Sequence, residues 1–349
     1  MISFNNITTK SKSSQLKKLS LINIFTNIVG IFLIIAIILL IINPTRYIKS
    51  ILSGTNLFYT SVMPSLLPFF FISKILLGLG TFKPIIKLNE KPITKIFGVP
   101  PVTSYVFLMS ILCGYPVGAK IIGELYEGGN ITNTDAKKMI ALCTTSGPIF
   151  VIGTIGANIF KDARLGALIF VAHVLASVAT GLVFNLKRNK VKPLAATTPA
   201  TKQNLSASQN LLSSSVNSTI FSILTVAVYV SIFYMFIDIA YDLKILGLFS
   251  SALAKLFAKL NIEPYYASGI CSGIIEMTRG IYEIKNGSSI MLKLITSTSL
   301  VSFGGLSIII QSLTFLNKTK INALYFFFVK CVQVLFSIAF AIVIGLIFL

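Results

Sequence analysis

Acidic residues are scarce in this sequence: ten Asp and Glu stand among 349 residues, with one histidine and four cysteines. The single histidine, His173, leaves His-based metal sites and Ser-His-Asp catalysis without support. It sits inside an apolar run, where it reads as a packed or hydrogen-bonded residue rather than a catalyst. Cys113, Cys143, Cys271 and Cys331 all lie in apolar segments without CxxC spacing, so neither a disulfide framework nor a metal site is indicated. With no nucleophile–base pair and no ligand cluster, the sequence points to no enzyme, no cofactor and no metal.

The missing acids leave 30 Lys and Arg in large excess, for a formal charge of +20. In a soluble domain that balance would suggest nucleic acid, but no nucleic-acid-binding module is visible. The basic residues sit in tails and loops, where they set orientation and meet anionic membrane lipids. What is abundant is apolar sequence: 54% of the residues are hydrophobic and 11% charged, with a mean hydropathy of +0.86. The reading is an all-α polytopic membrane protein with about seven full spans.

Residues 1–20 read as a cytoplasmic tail and 21–43 as a first transmembrane helix, its apolar run Leu21–Ile42 ended by Asn43-Pro44. A first repeat covers 55–186 with a hairpin at 134–160, and a basic then Ser/Thr/Pro-rich linker covers 187–216. A second repeat covers 217–349 with a hairpin at 288–316. A shift of 156 positions lays Tyr126-Glu127 on Tyr282-Glu283, Lys120 on Glu276 and Ser146-Gly147-Pro148 on Ser302-Phe303-Gly304. In each copy two apolar arms flank a break. An arm of about 12 residues covers about 18 Å, too short for a hydrocarbon core of about 30 Å. This favours a re-entrant helical hairpin over one kinked span. An inside N-terminus puts the two hairpins on opposite sides, which makes the copies inverted repeats, a known transporter plan. It also places most Lys-rich segments inside, although Lys244–Lys259 falls outside.

Charges within membrane segments are costly and mark sites. Lys120, Glu124, Glu276 and Arg279 are therefore site candidates, with Lys120 and Glu276 expected to approach across the repeat axis; a local Lys120–Glu124 pair is the plainer alternative. Helix N-termini after Gly147-Pro148 and Gly304-Gly305 suit an anion, with hydroxyls from Ser146, Ser302 and Ser307. Gln311 is either an amide ligand or an interhelical hydrogen bond, and Tyr115 is placed to stack on a ring. The combination suits a small, flat anion.

The motifs GYPVGAK, TTSGPIFVIGTIG, SGIIEMTRGIYE and SFGGLSIIIQSL resemble the nucleoside-recognition (Gate) domain family. More closely, with PSLLPFFFISKIL, they are similar to the YlbJ/SpoVV-type sporulation integral membrane proteins. The resemblance covers roughly residues 55–315. It implies an endospore former, a cell membrane surrounding the forespore (the outer forespore membrane) and transport of dipicolinic acid. Carried onto this chain, the implied site residues are Tyr115, Pro116, Gly118, Lys120, Ser146, Gly147, Pro148, Glu276, Arg279, Ser302, Gly304 and Gly305. A nucleoside carrier and a membrane scaffold for the spore envelope are the competing expectations, and a homo-oligomer is compatible with any of them.

Overall fold

A computed structural model describes residues 26–79, 83–185 and 207–349. The tail at 1–20, the start of the first apolar run and most of the linker lie outside these residues. All regular structure in the described residues is helical. Among the described residues four helices are long and apolar enough to cross a membrane, or five if the broken pair at Asn43 counts as one span. That is fewer than the seven full spans expected, because several apolar stretches are divided into helices too short to cross alone.

The chain forms two compact units, residues 1–50 and 51–349. In the first, helix α1 (Thr26–Ile42) exposes Ile34, Ile37 and Ile41, as a lipid-facing helix does. It stops at Asn43, and α2 (Pro44–Leu57) starts on a proline, whose missing N–H costs nothing in a first helical turn.

The second unit holds everything else. A π-helical turn (Phe58–Val62) leads into α3 (Met63–Leu79), which is helical through Pro68. Then come α4 (Lys83–Phe97), α5 (Thr103–Cys113), α6 (Val117–Glu127) and α7 (Asn133–Leu142). A π-helix covers Ile149–Phe160, followed by α8 (Ala163–Phe184), α9 (Ala207–Asp242) and α10 (Ile245–Ala258). The remainder is α11 (Pro264–Ile275), α12 (Met277–Glu283), α13 (Ile290–Phe303), α14 (Gly305–Phe315) and α15 (Ala323–Phe348). Helix α9 is already helical from Ala207, so the linker expected to reach 216 ends earlier. Lys87, Lys91 and Lys95 line the exposed side of α4.

Helices α8, α13 and α15 pack against one another. The segment 133–160 runs antiparallel to α8 along its whole length. Gly156 meets Gly166 backbone to backbone, the Ser146 N–H donates to His173 Nε2 at 2.9 Å, and Ser177 Oγ donates to the Leu142 carbonyl at 2.6 Å. The partners on α8 rise in number as those on the segment fall, so the arms lie end to end. This corrects the hairpin expected at 134–160: the arms form one discontinuous crossing. Joined, they match the 22 residues of α8, whereas each alone would be too short. The second expected hairpin, 288–316, is likewise one direction of travel, a 26-residue run from Ile290 to Phe315 broken only at Gly304 and Gly305.

Two crossings of broken helices follow. In the first, the gap between α5 and α6 meets the gap between α7 and the π-helix. Ser110 Oγ donates to the Cys143 carbonyl at 2.6 Å, and a Cβ on Gly147 would stand 3.2 Å from the Leu112 oxygen. In the second, the gap between α11 and α12 meets Gly304-Gly305, where a Cβ on Gly305 would stand 3.0 Å from the Ile275 oxygen. Unpaired backbone groups at membrane depth are tolerated where protein covers them, and each gap supplies cover for the other. The stretch from Pro264 to Glu283 is therefore two helices. Glu276 is extended (φ −138°, ψ 116°), and its side chain accepts the Arg279 N–H to start α12.

Candidate functional site

Between the two crossings lies a cavity of about 50 Å³. The first crossing contributes Cys113, Gly114, Tyr115, Ser146 and Gly147; the second contributes Glu276, Met277 and Thr278; α14 adds Ile308 and Gln311. Val62, Leu66, Val226 and Val230 close it with apolar surface. Glu276 is 1% exposed. Its carboxylate accepts the Thr278 hydroxyl and, at 2.9 Å, the Arg279 N–H. These bonds replace part of the hydration that a buried carboxylate loses.

A second layer of buried polar groups stands behind the wall formed by Tyr115 and Ser146. His173 Nε2 accepts the Ser146 N–H, and its Nδ1 lies 2.9 Å from Ser302 Oγ. A backbone N–H can only donate, so Nε2 carries no proton; the ring is neutral with its hydrogen on Nδ1, directed at Ser302. One imidazole thus ties the break of the first crossing to the end of α13. Beside it, Lys330 of α15 is fully buried. Its amino nitrogen lies 2.5 Å from Tyr115 Oη and donates to Gln333 Oε1 at 2.7 Å and to the Thr144 carbonyl at 3.1 Å. It also lies 4.5 Å from the centre of the Tyr115 ring, a cation–π distance.

Five of the residues singled out in the sequence line the cavity: Tyr115, Ser146, Gly147, Glu276 and Gln311. Ser302 joins them through His173, and Ser307 through the Gln311 amide, which donates to its hydroxyl at 3.0 Å. Gln311 is thus both a cavity residue and a partner within its own helix. Pro116 follows a cis peptide bond after Tyr115, and Pro148 precedes the first turn of the π-helix. Gly118 packs directly on the Cys143 carbonyl, where a side chain has no room. Gly304 and Gly305 have φ of +82° and +76°, values that a residue with a Cβ adopts at a cost.

Lys120 and Arg279 do not join this group. The Lys120 ammonium donates to Ser218 Oγ and Ser222 Oγ, both at 2.7 Å. It does not approach Glu276 across a repeat axis, because α9 lies within its reach and offers two hydroxyls. Nor does it form the local bridge with Glu124, whose carboxylate accepts Lys74 Nζ at 2.8 Å instead. Arg279 pairs with Glu283 at 3.1 Å and with Asp238 of α9 at 3.4 Å. Both cations are committed to α9 or its neighbourhood. Lys330 goes unremarked in the sequence reading, although a lone lysine eight residues into an apolar 26-residue helix is a signal in itself. Thr278 is likewise missed, since nothing local announces that the chain breaks at Glu276.

The chain that builds this cavity has a relative of known name. Over 346 residues, covering 92% of this chain and 83% of the other, it is 26% identical to the sporulation integral membrane protein YlbJ of Bacillus subtilis (strain 168). The chain is similar to that protein over most of its length. The likeness extends through both crossings and the helices around them, since it leaves out only a small part of the sequence. The chain's own sequence agrees with an integral membrane protein, with four long apolar helices among the described residues. No family model matches it, and no solved structure does.

Proposed function

We propose that this chain is a sporulation-stage transporter moving a small aromatic dicarboxylate, dipicolinic acid, across a membrane surrounding the forespore by alternating access. The observation that carries the reading is the cavity walled by both crossings, with backbone breaks and buried polar side chains facing it. Transporters bind their substrates where interrupted helices of two inverted repeats meet near the bilayer midplane. We read the two crossings as such a pair. The sporulation context is supported by the name of the relative. Membrane lipids, a homo-oligomeric arrangement and the outer forespore membrane as its location belong to the same proposal. Glu276, a carboxylate on the cavity wall, is suited to carry a coupling proton.

A nucleoside carrier is the competing reading, favoured by Glu276 and Gln311, which suit hydroxyl and amide groups of a neutral ligand. Uptake of labelled dipicolinate into proteoliposomes, with uridine as competitor, separates the two. The expected result is saturable dipicolinate uptake that uridine leaves unchanged, and that Glu276→Gln reduces more under an imposed pH gradient than without one. Uptake of uridine in its place would transfer the site to a nucleoside. Movement of neither would favour a scaffold of the spore envelope.

A further inference from the structure

Helix α4 is polar where most of the molecule is apolar. Its 15 residues extend about 22 Å, too little to cross a hydrocarbon core of about 30 Å. Taken at about 100° per residue, its described side chains fall on three arcs. Ile93 and Phe97 are buried, and the helix packs against α5 and α8. Lys87, Lys91 and Lys95 form an exposed row, each about one turn from the next. Leu88, Pro92 and Ile96 form the third arc, beside the lysines and away from the core. It is apolar and uncovered: Leu88 is 81% exposed and Ile96 52%. A helix at the surface of a soluble protein has a core face and a polar face. A third, apolar face next to a cationic one calls for a neighbour that is itself apolar beside charge.

The depth of α4 is fixed by its backbone. Pro92 has no N–H to give the Leu88 carbonyl, so an acceptor on the uncovered side is left to an outside partner. Lipid-exposed backbone groups of that kind are not tolerated within hydrocarbon, which places α4 at the hydrated boundary. The end of the helix is tied to the body. Gly98, left-handed at φ 59°, follows its last turn, and Lys138 Nζ of α7 donates to the Gly98 carbonyl at 3.1 Å. The start of α7 meets the turn between α14 and α15, where the Lys320 N–H donates to Asn133 Oδ1 at 2.9 Å. Helix α4 therefore lies toward the rim that also carries Lys318 and Lys320. Lys318 meets Glu127 there at 3.5 Å. Lys87, Lys91 and Lys95 make no ion pair among the described residues, so their charge faces outward.

From this arrangement we infer that α4 is an interfacial helix that binds anionic lipid headgroups. Leu88, Pro92 and Ile96 enter the boundary between headgroups and acyl chains, and the lysine row meets the headgroup phosphates beside them. The partner is a lipid of the phosphatidylglycerol class rather than a soluble phosphate, because only a lipid brings an acyl chain to the apolar arc together with a charge to the lysines. Each lysine held at an anionic surface strengthens association by about fivefold. The bound lipid also supports the cavity from a distance. It holds α4 in place, α4 receives Lys138 of α7, and α7 leads into the break at Ser146. The inference depends on the chain being a membrane protein and not on what it carries.

The test titrates the full chain in neutral detergent with dioleoylphosphatidylglycerol, dioleoylphosphatidylcholine or sn-glycerol 3-phosphate and reads the melting temperature. Three variants accompany wild type: Lys87→Gln/Lys91→Gln/Lys95→Gln, Leu88→Ser/Ile96→Ser, and Lys255→Gln/Lys259→Gln. The last pair removes exposed lysines at the far end of α10 and serves as the control. Exposed substitutions of this kind are usually tolerated, so all should fold. The expected result is that phosphatidylglycerol stabilises wild type and the control pair where phosphatidylcholine and glycerol 3-phosphate do not, and that added salt weakens the effect. The triple lysine variant should need about tenfold to a hundredfold more phosphatidylglycerol for the same shift, and the serine pair should also respond less. An unchanged response in the triple variant overturns the inference, as does an equal loss in the control pair or an equal response to both lipids. Stabilisation by glycerol 3-phosphate would assign the lysines to a soluble phosphate instead. A serine pair that turns a dimer into a monomer, with its lipid response intact, would assign the apolar arc to a second copy of the chain. No outcome depends on dipicolinate uptake, so the transport reading stands or falls separately.

Discussion

Replacing His173 by leucine is expected to destabilise the detergent-solubilised protein by about 2–4 kcal/mol, because two buried groups would lose their partner at once. The ring accepts the Ser146 N–H at Nε2 and donates from Nδ1 to the Ser302 oxygen, at 2.9 Å each. Leucine fills the space but neither accepts nor donates, and a buried polar group left unsatisfied costs about 1–3 kcal/mol. The effect should also be local. Ser146 stands in the break of the first crossing and Ser302 at the end of α13, so the loss uncouples two segments that no other side chain joins in this way among the described residues. His173→Gln supplies a control of different chemistry. Its amide oxygen accepts from Ser146 and its NH₂ donates to Ser302, so part of the stability should return. Thermal unfolding of the three proteins measures this directly. If the leucine variant melts with wild type, the imidazole is packing only and the bridge carries no weight.

The same residue shows how far the sequence reaches. One histidine in an apolar run reads as packed or hydrogen-bonded, and that much is local information; which two segments it joins is set by the packing of three helices. The breaks at Gly114-Tyr115-Pro116, Ser146-Gly147-Pro148 and Gly304-Gly305 are written in residues that end helices or turn them left-handed, so they stand out in the sequence. The break at Glu276 carries neither glycine nor proline. It exists because the carboxylate caps the next helix and because Gly305 needs the space beside Ile275. The direction taken after each break is not local either. A short arm, a break and a second arm describe a hairpin and a discontinuous span equally well. The choice falls to the span because α8 offers a continuous groove, with Gly166 and Gly181 admitting the segment closely. Charge pairing fails for a similar reason. Four-residue spacing brings Lys120 and Glu124 to one face, but Lys74 and two serines of α9 are better placed partners.

The second large effect is expected at Gly305, where valine should be more damaging than any single loss of a hydrogen bond. Two costs coincide there. At φ +76° a β-branched residue is strained by about 1–2 kcal/mol or more. Its Cβ would also stand 3.0 Å from the Ile275 oxygen, 3.1 Å from the Gly273 oxygen and 3.2 Å from Met277 N. All three neighbours are backbone atoms of the opposing break, which cannot swing aside as a side chain can. Overpacking of this kind costs about 1–3 kcal/mol, and relief would require α14 to withdraw from the segment that positions Glu276. Valine at Gly153, where a Cβ meets nothing within 4 Å, is the matched control and should be tolerated far better. The measurement is the yield of monodisperse protein together with its melting temperature, followed by dipicolinate-induced stabilisation of whatever folds. Severe loss at Gly305 with little at Gly153 places the demand for glycine at the second crossing. Equal tolerance at both would mean that the two breaks do not touch as described, and the cavity between the crossings would lose one of its walls.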